Sequence, residues 1–165
     1  MPASNPTTMV DLSTAQGVVD ALLNHAVTLA DANGVADDDL ESLYAVAYGH
    51  LADGRAADAL DDLLRLVMLD PWDSRFQFAY GLALQLLEQY EAAAQHHAQA
   101  LLMDATNAGI ALRIGECLEA QGELHDAADA MRACIALSWS DPQWHLARAH
   151  AETALARIDA SGGQA

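Results

Sequence analysis

Ser74 to Asn107 reads SRFQFAYGLALQLLEQYEAAAQHHAQALLMDATN, thirty-four residues in which two runs of small and apolar residues meet at Glu88-Gln89. Gly81 and Ala93 hold the eighth and twentieth places of this stretch. Each has counterparts thirty-four positions away: Ala47, Gly115 and Ala149 for Gly81, and Ala59 and Ala127 for Ala93. Apolar residues keep the same frame as Val67, Leu101 and Ile135, and again as Leu69, Met103 and Leu137. Several columns in one register mark an internal repeat.

A unit of this length holds two helices of about 12 to 14 residues joined by short turns. It is a helical hairpin. A small residue where its two helices cross lets them approach closely, which gives the glycine and alanine columns a packing reason. The fold expected is therefore all-α, a tetratricopeptide-repeat helical solenoid with repeats at 40–73, 74–107 and 108–141. Their hairpins turn at Asp53-Gly54, Glu88-Gln89 and Gln121-Gly122. Pro71 interrupts helix continuation after the first repeat, and Ala105 and Trp139 replace it in the next two.

Working outward, residues 14–33 form an expected N-terminal amphipathic helix, with Ala15, Val18, Val19, Leu22, Leu23, Ala26, Val27 and Ala30 at helical spacing. Ser13 with Gln16 suits a capping box, and Asn33-Gly34 suits a helix end. Asp37, Asp38 and Asp39 precede the first repeat helix, where acidic groups complement its dipole. Asp141-Pro142 opens a capping helix expected over 142–159. Residues 1–13 and 160–165 are expected to be tails.

Twenty-four acidic residues against seven basic ones give a formal charge of −17, which repels nucleic-acid backbones. Every basic residue is Arg, so a P-loop lysine, a Schiff-base lysine and a polybasic membrane patch are all missing from the sequence. No basic leader precedes an apolar run and no stretch approaches the length of a membrane span, so a cytoplasmic chain with no membrane insertion is expected. Cys117 and Cys134 are not in CxxC spacing and read as buried thiols.

The residues carry no catalytic pattern. His96 and His97 point about 100° apart on a helix and cannot converge on one ion, His145 and His150 are off-face, and HExxH, GxSxG and GxGxxG are not found. No metal, cofactor or enzymatic activity is expected. Glu116, Glu119 and Glu123 read as a solvated stripe, and Trp72, Trp139 and Trp144 as plugs at the joints between repeats.

What remains is a binding surface. The fifth and ninth places of the repeats hold Tyr44 and Tyr48, Phe78 and Leu82, then Leu112 and Glu116. Stacking sets these side by side, and Tyr44, Tyr48, Leu51, Phe78, Leu82 and Leu112 make a candidate peptide-binding groove of aromatic and aliphatic character. Glu116 interrupts it in the third repeat.

The stretch Leu40-Glu-Ser-Leu-Tyr44-Ala-Val-Ala-Tyr48, with Gly54, Leu69-Asp-Pro-Trp-Asp73-Ser-Arg-Phe76 and Gly81, resembles the class II chaperones of bacterial type III secretion, the translocator chaperones of LcrH/SycD/IpgC type. Gln89-Tyr90-Glu91-Ala92-Ala93, Gly115-Glu-Cys-Leu118 and Gly122-Glu-Leu124 extend the resemblance over residues 38–137. Asp73-Ser-Arg-Phe76 is its most specific piece, because repeat residues alone suit any tetratricopeptide protein. The resemblance implies a cytoplasmic virulence-associated chaperone that keeps hydrophobic translocator proteins soluble before export, with a translocator segment in the groove. It also implies homodimer formation through the N-terminal region and, in some members, assistance to a transcription activator. The alternative is a general tetratricopeptide protein-protein interaction adaptor or regulatory co-factor.

Overall fold

The computed structural model of the protein describes residues 27–162 together with Thr14, Gln16, Gly17 and Val19. Its helices are α1 (Leu29–Asn33), α2 (Asp37–Ala52), α3 (Ala56–Leu69), α4 (Ser74–Leu86), α5 (Tyr90–Met103), α6 (Ala108–Gln121), α7 (Leu124–Ser138) and α8 (His145–Gly162), with a 3-10 turn at Pro142–Trp144. From α2 onward each helix packs against the next, and the first helices of successive hairpins also touch, so α2, α4, α6 and α8 form one row. That is the geometry of a tetratricopeptide solenoid.

The repeat frame sets both the turns and the starts. Gly54 and Gly122 adopt left-handed backbones at φ 74° and 83°, and Glu88, at the same frame position, is held at φ 61°. Asp73, Asn107 and Asp141, again thirty-four apart, cap the helical turns after them by accepting from the backbone N–H groups of Arg75, Ile110 and Gln143. The final helix thus starts behind a 3-10 turn and runs from His145 to Gly162, rather than over 142–159.

The expected helix over 14–33 does not continue through its end. Val27 and Thr28 are non-helical, and Thr28 opens α1 with a capping box: its hydroxyl accepts from Asp31 N at 3.1 Å while its own N–H donates to Asp31 Oδ2 at 2.8 Å. A local polar pair overrides the apolar spacing there. The stripe from Ala15 to Ala26, apart from Val19, and Ser13 of the expected capping box lie outside the described residues.

Inside the stack, small residues of the first helix face large ones of the second. Gly81 lies against His97 and Gly115 against Met131, such that a Cβ on either glycine would come within 2.8 Å of the opposing side chain. Ala47, Ala59, Ala93 and Ala127 are fully buried. Ala149 continues the column in sequence yet is exposed, since among the described residues no second helix of a hairpin packs over that face of α8. Cys117 and Cys134 are free and buried, and burial pushes both thiols up to about 11.

Of the three tryptophans only Trp144 fills a joint, its ring lying 3.0 Å from where a Cβ on Gly109 would sit. Trp72 and Trp139 are 64% and 70% exposed. They follow the second helices at the edge of the stack, and Arg148 covers the Trp139 ring at 3.9 Å. Among the described residues no helix is long and apolar enough to cross a membrane, and no group of three metal-ligating side chains is assembled.

Candidate functional site

The row α2, α4, α6 and α8 carries a surface whose character changes along its length. At the α2 end Tyr44 is half-buried, with its ring 5.6 Å from Tyr48 and 5.4 Å from the buried Phe76. Tyr48 is exposed. Burial and the neighbouring Tyr48 raise the Tyr44 phenol above its usual range. Phe78 and Leu82 on α4 are half-buried, and the Phe78 ring lies 5.3 Å from the imidazole of His97.

Leu51 is not part of this surface. It is 6% exposed and belongs to the core with Leu40, Ala47 and Leu63, since it stands one turn below Tyr48 where α2 turns into its hairpin. Leu112 is 8% exposed, but with Glu116, Glu119, Met131, His150 and Arg157 it lines an open cavity of about 250 Å³. It is a floor residue.

Polar contacts tie neighbouring members of the row together. Arg75 of α4 reaches Glu41 of α2 while also binding Asp73, and its guanidinium lies 5.5 Å from the Tyr44 and Phe76 ring centres. Gln85 of α4 donates to Glu116 of α6 at 3.0 Å, and Arg113 donates to the same Glu116 oxygen at 2.9 Å. Arg157 of α8 binds Glu119 of α6 in a two-pronged pair at 2.8 and 2.7 Å. The stripe Glu116 and Glu119 is therefore engaged rather than merely solvated.

His97 sits behind these groups with its Nε2 3.3 Å from Gln85 Oε1, and its Nδ1 has no hydrogen-bond partner. Burial, with smaller contributions from Arg113 and His96, pulls its pKa down to about 4, so the ring is neutral near pH 7. His96 instead meets the Gln77 carboxamide at 2.8 Å, and burial lowers its pKa too.

Sequence reasoning named the aromatic wall but not the bridges along the row. One of them has a signal in the chain, since Glu41 and Arg75 occupy the same frame position in successive repeats. Chemically the row offers rings and aliphatic surface at the α2 end, a carboxamide and carboxylate in the middle, and paired charges at the α8 end. Among the described residues of the row no nucleophile stands beside a base and no acid–base pair is set up.

No family model matches the chain. The low calcium response locus protein H of Yersinia pestis is 31% identical over 117 residues, which span 71% of this chain and 70% of that protein. Among solved structures, a T3SS complex from Aeromonas hydrophila superposes with a TM-score of 0.85 at 26% identity, covering 90% of this chain and 99% of that one. The Yersinia enterocolitica type III secretion chaperone SycD, in complex with a peptide of the translocator YopD, gives 0.74 at 26% identity over 78% of this chain and 98% of that one.

Proposed function

The chain belongs to the LcrH/SycD family of type III secretion translocator chaperones, and we propose that it binds a hydrophobic translocator protein in the cytoplasm and keeps it soluble before export. Family membership favours this over a general adaptor. What supports the reading on this chain is the set of part-exposed aromatic and aliphatic side chains on the first helices, Tyr44 beside Tyr48 on α2 and Phe78 and Leu82 on α4, with Leu112 lining a cavity on α6. A segment inserting apolar side chains finds aromatic walls there, and aromatic anchors dominate the energy of such contacts. The acidic remainder of the surface, on a chain of net charge −17, keeps a loaded complex dispersed. The role is binding rather than catalysis. SycD has been crystallised as a dimer, and self-association of this chain fits the same reading.

Replacing Tyr44 and Phe78 together by Ala tests it. Affinity for the translocator should fall by about 2 kcal/mol, measured by co-purification and titration, with helical content by circular dichroism retained. Leu102→Ala, an exposed residue on α5, should change neither. A double variant that keeps full affinity, or that loses it only by unfolding, would remove these residues from the binding surface.

A further inference from the structure

The frame position filled by Leu63 in the first hairpin and Met131 in the third is His97 in the second, and all three side chains are fully buried. An imidazole is the least stable choice of the three, because its Nδ1 is shut away from water without a partner. Space does not demand it. The sulfur and terminal methyl of Met131 lie opposite Gly115 at 3.0 and 2.8 Å from a Cβ position there, and ring atoms of His97 occupy the equivalent place opposite Gly81 at 2.8 Å. A methionine would fit as Met131 does.

What His97 supplies and methionine cannot is Nε2, facing Gln85 Oε1. The polarity of this chain of bonds is fixed from its far end. Glu116 Oε2 accepts from Arg113 and, as a carboxylate, can only accept, so the amide nitrogen of Gln85 must face it. Gln85 Oε1 then faces His97, which must carry its proton on Nε2 and leave Nδ1 as a bare acceptor. Two groups remain unused among the described residues: the second N–H of Gln85 and Oε1 of Glu116. Both side chains are partly exposed, on adjacent helices where the aromatic end of the row meets the charged end.

We infer that His97 is a positioning residue for client binding: it holds the Gln85 carboxamide so that Gln85 and Glu116 present one N–H and one carboxylate oxygen to a main-chain peptide group of the bound segment. A peptide unit offers the complementary acceptor and donor, whatever its side chain. The apolar wall then selects the client, and this pair grips its backbone. The inference rests on the groove reading above.

The test uses the full chain and a fluorescent peptide of YopD as probe, titrated against wild type, His97→Met, Gln85→Ala, the double variant and Phe78→Ala, each with a thermal melt. His97→Met should melt no lower than wild type yet bind roughly three- to tenfold more weakly, the loss of about one hydrogen bond. Gln85→Ala should lose a similar factor, and the double variant no more than Gln85→Ala alone, which is the signature of a residue acting through another. Unchanged affinity in His97→Met, or losses that multiply in the double variant, would overturn the inference. If His97→Met does not fold, His97→Leu, the residue of the first hairpin, takes its place. If neither folds, Gln85→Ala decides by the same factor. Phe78→Ala separates the two readings: if it loses binding while His97→Met and Gln85→Ala do not, only this inference falls. If wild type fails to bind the peptide, or Phe78→Ala binds as well as wild type, the groove reading falls and this inference with it.

Discussion

In the outer hairpins the turn residue with a left-handed backbone is glycine, Gly54 and Gly122; in the middle hairpin it is Glu88, at φ 61°. The outer hairpins fill the crossing of their helices with Leu63 and Met131, and the middle one with His97. One frame thus carries two departures in its central unit, each less stable than its counterparts on either side. For His97 the hydrogen bond to Gln85 supplies a reason that lies in the binding row rather than in the core. Nothing in the structure explains Glu88. Regular repeats show where a protein has given up stability, because the neighbours record what ordinary packing would have chosen.

The largest expected effect tests the crossings. Gly81→Leu drives a side chain into the rigid His97 ring and should destabilise by about 3 kcal/mol, whereas Gly115→Leu meets the flexible end of Met131 and should cost about 1–2 kcal/mol. Thermal or urea denaturation of the pair measures the difference. Equal losses would mean that ring and thioether yield alike, and that the middle crossing is no tighter than its neighbour.

A second effect is in pH. His97 titrates near 4 when folded and near 6.5 in its ordinary state, so the unfolded chain takes up its proton first as pH falls. Its contribution is complete above about pH 6.5 and is lost progressively down to about pH 4. Between pH 7 and pH 5, wild type should lose about 2 kcal/mol that His97→Met retains. Denaturant titrations of the two proteins at both pH values check this, and parallel losses would show the ring to be hydrated in the folded state.

The smallest effect is at the turn. Glu88→Gly should raise stability by about 1 kcal/mol, since glycine adopts the left-handed backbone without the steric cost of a Cβ. Gly54→Glu in the first hairpin should lower it by a similar amount. A melting-temperature pair distinguishes them, and no change in either would place the strain elsewhere.

Much of the fold is legible in the amino-acid order alone, for a specific reason. The thirty-four-residue columns at Gly81, Ala93 and Leu101 report contacts made within one hairpin or with the next, so they recur wherever the hairpin recurs. Features that break the repeat are harder to read. Leu51 looks like a groove residue from its place beside Tyr48, yet the end of α2 turns it into the core. Trp72 and Trp139 look like plugs, but only Trp144 has a glycine to pack against.

The sequence by itself determined the hairpin unit, its frame, its turns and the apolar character of Tyr44, Tyr48 and Phe78, because periodicity and side-chain chemistry are local properties written along the chain. Only the tertiary structure decided that Thr28 begins a new helix, that Ala149 faces solvent, and that Gln85 stands between His97 and Glu116. Those outcomes depend on which partner a side chain meets across a helix interface or around a cap. A hydrogen bond between residues 31 positions apart on two helices leaves no periodic trace in the chain that makes it.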